Sequence, residues 1–447
     1  MSHIRPGFSS RLGFILAAAG SAVGVGNIWG FPTQAAQNGG GAFLLVYLVM
    51  VVVLAYPMLI AELTIGRLSQ KNPVASLRAL GETRLMQRTG VVIGVAGITV
   101  LSLILSFYAI LSGWLLSFML APITQALGWS QLTHWLENFS LSRNLIMMAV
   151  FMLLTMHVVY RGVSAGIERW SKRLMPLLFV LLIAMAGYIL TQPGAMQGLK
   201  LYLIPDFSQV LQPSLLVSAM GQAFFSLSIG VCALMLYGSY LSPQENLPRT
   251  AAMVAGLDTS VAFLAGLLIL PAMFVAQANG VTIYQADGSL QSSDTLVFTV
   301  LPAMFNSMGQ SGVLLAVGFF ALMLIAALTS SISMLEAPVN TLNEETGCSR
   351  HKAVWLIGSL VSMVSALVIY HFDTLFGLVV KATTVYAQPL LALLFGVMLT
   401  WVLRQNRLLK ALQSGSENIE HTWFWRIWPS YVKFVCPLLI LLVFFYQ

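Results

Sequence analysis

The chain has 447 residues, of which 58% are hydrophobic and only 8% charged, with a net charge of +7. Water-solvated domains carry roughly 25% charged residues, so a soluble globule is excluded; recurrent apolar runs of about 20 residues predict an all-α integral membrane protein. The positive balance is read as a topology signal, and no nucleic-acid partner is expected.

Eleven hydrophobic segments begin near Leu12, Gly41, Gly90, Leu145, Met175, Leu215, Ala251, Gly312, Ala353, Leu375 and Tyr431. The first lacks a small-residue cleavage site and is read as a retained span, not a signal peptide. If the chain starts inside and every segment crosses, the 22 basic residues fall on the inner side with three exceptions. Arg143 and Lys200 lie outside, and Lys381 lies within a span. That asymmetry predicts a multi-pass protein of the inner (plasma) membrane, with a cytoplasmic N-terminus and an external C-terminus. Residues 1–447 read as a single transmembrane domain. Cys232, Cys348 and Cys436 show neither disulfide nor metal spacing.

Within the first segment, Gly20 to Pro32 read GSAVGVGNIWGFP. A continuous lipid-facing helix has no use for such a run, because glycine and proline weaken the internal hydrogen bonding that lipid demands. Open backbone inside a membrane is tolerated where it lines a protein-enclosed cavity, and its freed carbonyls can hold a cation. The first span therefore reads as half of a binding site. Two connections are long, Pro122 to Arg143 and Asn279 to Gly309; the second contains QADGSLQSSD and is read either as a lid or as a plain surface excursion.

Gly221 to Cys232, in the sixth segment, read GQAFFSLSIGVC, a second interrupted span. Five spans separate it from the first, the offset expected of two five-helix repeats of inverted topology. In the eighth segment, Ala326 to Ser331 read AALTSS. These hydroxyls either bond back to carbonyls one turn earlier or, beside two broken helices, serve as neutral oxygen ligands. Sodium is a hard cation that takes oxygen donors, and hydroxyls with freed carbonyls supply them without burying several carboxylates.

GSAVGVGNIWGFP, then NGGGAF at Asn38 to Phe43, then FFSLSIG, then LTSSIS, resemble the neurotransmitter:sodium symporter family in the same order, over about residues 5 to 405. The likeness is strongest to its bacterial amino-acid transporters. The resemblance implies a LeuT-type fold: two inverted five-helix repeats over about 11–190 and 214–405, with broken first and sixth helices and an extra helix over about 430–446. It implies sodium-coupled uptake by alternating access, with two sodium sites. One would comprise Ala22, Asn27, Ser226 and Asp258, completed by the substrate carboxylate; the other Gly20, Val23, Ala326, Thr329 and Ser330. Substrate contacts would come from Ser21, Ala22, Val25, Gly26, Ile104, Tyr108, Phe225, Ser226, Ser228, Val231, Ser330 and Met334, with Tyr108 donating to the carboxylate.

Gly24 stands where the family's monoamine carriers bear an aspartate, so the substrate is expected to bring its own carboxylate. Together with the apolar Ile104, Val231, Phe225 and Met334, this predicts a neutral, hydrophobic amino acid; taurine or another small zwitterion is the alternative. Asp258 stands where some relatives have asparagine. A fixed carboxylate there can replace the anion of chloride-dependent relatives, so chloride independence is expected; a proton-carrying role on the return step stays open. Glu62 is expected to support the broken first helix.

Departures gather at the outer gate. Gly30 replaces the family's arginine, and Phe376 aligns with its aspartate partner. Lys381, deeper in the tenth span, either projects into the outer vestibule or snorkels to the interface. At the inner face, Arg5 and Glu344 match the family's gate pair, with Tyr240 as support and Phe8 in place of a tryptophan. The reading is thus a symporter embedded in the lipid bilayer, and a homodimer is compatible with it. A non-transporting amino-acid sensor of the same fold is the rival. An enzyme is not expected, since no metal-binding or nucleophile motif occurs.

Overall fold

The computed structural model describes residues 7–284, 296–416 and 418–446. Arg5 and the polar patch at 285–294 lie outside the described residues. Within them the chain is almost entirely helical; its one extended contact is an isolated bridge between Gly40 and Pro205.

Among the described residues nine helices are long and apolar enough to cross a membrane. A tenth span is a bent pair, α1 (Arg11–Ala22) and α2 (Gly26–Gln37), inclined by 56°. The nine are α3 (Gly41–Ser69), α4 (Arg84–Ala126), α5 (Leu141–Tyr160), α6 (Val163–Leu190), α9 (Leu247–Ala278), α10 (Ser311–Thr346), α11 (Arg350–Tyr370), α12 (Phe372–Val402) and α13 (Trp423–Leu442). Between α6 and α9, two of the shorter helices, α7 (Pro213–Ser226) and α8 (Ala233–Gly238), are joined by an unwound stretch. Each is too short to cross alone, and together they correspond to the sixth segment of the sequence.

Local chemistry explains both breaks. Ser10 caps α1 by accepting the Gly13 amide at 3.0 Å. The helix then stops at Val23, whose backbone is extended (φ −64°, ψ 115°), and resumes as a wide π-type turn over Gly26–Gly30. Between α7 and α8, Ser228, Gly230 and Cys232 all have positive φ. Gly230, at φ +88°, adopts this left-handed backbone without steric cost; the other two carry it as strain of the kind concentrated at functional sites.

The breaks sit at the centre of the bundle. Helix α1 packs on α6, α9 and α10, and α10 lies along α4. Large apolar side chains both fill this core and cover the outside: Leu48, Val52, Val180, Ile183, Leu356 and Leu360 are exposed. Such an apolar exterior suits a surface whose solvent is lipid.

Candidate ion and substrate site

A small cavity of about 20 Å³ lies between the two breaks. It is lined by Ala22, Gly24, Gly26, Asn27, Leu101, Ile104, Tyr108, Phe225, Ser228, Val231, Ser330, Met334 and Gln388. Nine of the twelve substrate contacts expected from the sequence are thereby brought together. The other three stand just behind: Val25 lines the vestibule above, Ser226 lies in a polar cluster alongside, and Ser21 donates to Ser333 at 2.7 Å.

Three acceptors converge on one side chain beside the cavity. Asn27 Nδ2 donates to Ser226 Oγ at 2.8 Å, to Asp258 Oδ1 at 2.7 Å and to the Asp258 carbonyl at 3.2 Å. Ser226 Oγ in turn donates to Asp258 Oδ2 at 2.7 Å, and Tyr47 contributes its hydroxyl at 3.3 Å from Ser226 Oγ. All of these residues are buried. A point that gathers acceptors from two helices around an amide N–H, with the Tyr47 hydroxyl of a third beside them, also suits a cation, with the Asn27 amide turned over to present its oxygen.

A second set of oxygens lies where α1 ends against α10. Ser330 Oγ donates to the Val23 carbonyl at 2.8 Å and lies 3.4 Å and 3.3 Å from the carbonyls of Gly20 and Ser21. Thr329 Oγ1 bonds back to Ala326 and Ile325 at 3.0 and 3.1 Å. Thr329 thus follows the back-bonding reading of the LTSS motif, while the Ser330 hydroxyl reaches across to the carbonyls of the broken first helix. Ser331 faces away, 2.9 Å from Thr155 Oγ1. Among the described residues no group of three or more His, Cys, Asp or Glu could hold a metal; the oxygens gathered here are hydroxyls and carbonyls, donors of the kind a hard cation takes.

Steric fit explains Gly24. A Cβ at this position would come within 2.7 Å of both Ser330 Oγ and Tyr108 OH. Tyr108 OH accepts the Val25 amide at 3.1 Å, which fixes the hydroxyl at the mouth of the break. Glu62 differs from expectation. Its carboxylate accepts the Gly230 amide, so it buttresses the sixth span, not the first. An alignment could not reveal this, because the contact depends on how α3 passes the unwound turn.

Above the cavity opens a vestibule of about 610 Å³ that shares Gly26, Tyr108 and Phe225 with it. The Phe225 ring packs on the bare Cα of Gly26 and separates the two spaces. Gly30 and Phe376 both line the vestibule, with Trp29, Phe107 and Gln222. The sequence reading missed Gln222, whose Nε2 donates to the Gly26 carbonyl at 2.9 Å and whose Oε1 lies 3.4 Å from where a Gly30 side chain would begin. Phe376 belongs to an aromatic cluster: Phe372 at 4.6 Å, Phe107 at 6.2 Å and Trp114 at 6.4 Å between ring centroids. Lys381 is not brought in. It is exposed on α12, its ammonium 5.8 Å from the Tyr386 ring, and does not line the vestibule.

The opposite end, near the N-terminus, is closed. Phe8 packs on Phe14, Tyr237 and Tyr240 at 5.4, 5.7 and 6.0 Å. Tyr240 OH donates to Glu336 Oε1 at 3.1 Å; Glu336 is paired with Arg350, which also donates to the Val159 carbonyl at 2.7 Å. Glu344 accepts from Asn72 at 2.8 and 3.1 Å. The Glu336–Arg350 pair was not anticipated, although a lone acid inside the eighth span, Glu336, was a visible signal.

The sodium:neurotransmitter symporter family model matches residues 5–145 and 140–447. The chain belongs to this family. An uncharacterised sodium-dependent transporter of Bacillus subtilis, YhdH, is 35% identical across 99% of this chain and 98% of its own length. Another, from Haemophilus influenzae, is 33% identical across 98% and 97%. The crystal structure of MhsT in complex with L-phenylalanine superposes with a TM-score of 0.84 at 35% identity, covering 99% of both chains. The protein is a multi-pass, sodium-dependent symporter of LeuT-type fold, and not an enzyme.

Proposed function

We propose that this symporter takes up a neutral, hydrophobic amino acid with two sodium ions, independently of chloride. The convergence of Asn27, Ser226 and Asp258 beside the cavity carries the reading. One ion would sit there, held by Asn27 Oδ1, Ser226 Oγ, an Asp258 oxygen, the Ala22 carbonyl and the substrate carboxylate. The other would lie among the carbonyls of Gly20, Val23 and Ala326 and the hydroxyls of Thr329 and Ser330. The similarity to MhsT, solved with L-phenylalanine, supports an amino-acid substrate.

Electrostatics supports chloride independence. Asp258 supplies a fixed negative charge in a buried site, so two sodium ions and a zwitterion need no mobile anion. Tyr108 and the amides at the start of α2 would receive the substrate carboxylate, and the positive end of the helix dipole favours it. Gly24 leaves room for it.

Alternating access follows from the two ends. With the N-terminal, basic end cytoplasmic, the vestibule faces outward and Glu336–Arg350 and the Phe8 cluster close the inside. Substrate binding would draw Phe225 and Tyr108 over the cavity, with Gln222, Gly30 and the Phe376 cluster forming a gate without an ion pair. Release of sodium from beneath Ser330 would free α1 to open inward. Each sodium ion moving down the potential contributes about 2.3 kcal/mol per 100 mV before its concentration term.

Proteoliposomes test this. Labelled neutral amino acids should accumulate only under an inward sodium gradient, with chloride or gluconate outside. Binding without accumulation would instead identify a sensor.

A further inference from the structure

Six buried polar side-chain atoms among the described residues lack a hydrogen-bond partner: Glu62 Oε2, Trp114 Nε1, Arg143 Nη2, Thr250 Oγ1, Thr259 Oγ1 and Gln388 Oε1. Only Gln388 also lines the central cavity. Its side chain is 2% exposed. An unpaired acceptor in such a place is costly unless a ligand completes it.

The orientation of this carboxamide is fixed by its surroundings. Nε2 donates to the carbonyl of Ile229 at 2.9 Å and to that of Phe224 at 3.3 Å, both around the unwound turn between α7 and α8. Turning the amide over would set Oε1 against two carbonyl oxygens, so the oxygen must be the free end. The residue follows a π-type turn, Lys381–Ala387, and precedes Pro389, which together hold its position on α12.

Elsewhere in the cavity, acceptors for a side chain are scarce. Leu101, Ile104 and Val231 offer none and Met334 only a weak thioether, while Ser228 and Ser330 already donate to backbone carbonyls, so among the described lining residues Gln388 Oε1 is the buried side-chain acceptor left with no hydrogen bond at all. We propose that Gln388 is a specificity-determining residue whose Oε1 accepts a hydrogen bond from the side chain of the transported amino acid. The preferred substrate then carries a donor on an otherwise apolar side chain: an indole N–H, a phenol or an aliphatic hydroxyl. This rests on the amino-acid symport reading and narrows it.

Matched ligands decide the point. Purified protein in sodium is titrated with tyrosine against phenylalanine, threonine against valine, and tryptophan against 1-methyltryptophan, and binding is read by displacement and thermal shift. The donor-bearing member of at least one pair should bind about tenfold tighter or more, the discrimination that a stranded buried acceptor imposes. In Gln388→Leu the same ratio should fall to within about twofold, whereas a purely structural role would weaken both members equally. Equal binding within every pair, or a preference that survives Gln388→Leu, overturns the proposal and means that Oε1 is satisfied internally, with the O–H of a protonated Glu62 the candidate donor across the same turn. If Gln388→Leu does not fold, tryptophan against 1-methyltryptophan on the unaltered protein settles the indole case, and the other two pairs settle the hydroxyls. Failure of all six to bind would overturn the amino-acid reading itself, a result distinct from equal binding.

Discussion

Ser330 Oγ donates to the Val23 carbonyl at 2.8 Å, tying the α10 hydroxyl motif to the carbonyl released where α1 ends. The two residues are 307 positions apart in the chain. The bond sets the end of α1 against α10, so under the proposed mechanism an ion at this junction would hold α1 in place. A sodium ion that takes the same carbonyls would reinforce the closed arrangement by mass action.

Ser330→Ala removes one proposed ligand, the α10 hydroxyl that bonds the Val23 carbonyl. The sodium concentration giving half-maximal thermal stabilisation should rise by about tenfold, equivalent to about 1.4 kcal/mol. An unchanged sodium titration would place the second ion elsewhere.

Asp258→Asn keeps the shape of the first ion site and deletes its charge. Sodium affinity should drop by about tenfold or more, since bonds to a charged group contribute about 1.5–3 kcal/mol. The unaltered protein should transport equally in chloride and gluconate. Chloride-dependent uptake by the unaltered protein would remove the role given to this carboxylate.

Gly24→Ala forces a methyl to within 2.7 Å of both Tyr108 OH and Ser330 Oγ. Overpacking of this kind costs about 1–3 kcal/mol and displaces the two hydroxyls that the proposed site uses. Equilibrium binding of the amino acid should be lost while the protein still purifies as a monodisperse species. Retained affinity would show that the junction relaxes freely.

Glu336 is buried and pairs with Arg350 at the basic end. Arg350→Met strands that carboxylate and should lower stability by about 3–5 kcal/mol, whereas the double variant Glu336→Leu with Arg350→Met should recover most of the loss. Thermal melting of the four proteins in one detergent measures the coupling. Additive effects would mean that the pair does not act as a unit.

Lys381→Ala should leave uptake rate and apparent affinity within about twofold, because the side chain lies outside the vestibule. Gln222→Leu should slow uptake, since it removes the donor to the Gly26 carbonyl. A large effect of Lys381→Ala would restore it as the substitute gate cation.

Much of this was legible in the sequence because membrane folding is locally constrained. Lipid obliges each span to satisfy its own backbone, so apolar length and basic loops reveal the segments, and Gly20 to Pro32 and Gly221 to Cys232 stand out where that rule is broken. The AALTSS run, set beside those breaks, already suggested oxygen ligands. What the sequence by itself determined is therefore the helical class, the two interruptions and the residue types able to bind a hard cation.

Only the tertiary structure decided which side chains meet. Gln388 and Gln222 are single glutamines in apolar spans, and nothing local says that one faces the cavity and the other the vestibule. Glu62 moved from the first broken helix to the amide of Gly230, and Lys381 fell outside the gate although it is only five residues from Phe376 in the chain. The physical reason is the same in each case. Register along a helix fixes a face, but the neighbour across that face is set by how helices distant in the chain cross, and the wide π-type turn at Lys381–Ala387 rotates the faces of α12 in a way no 3.6-residue pattern predicts.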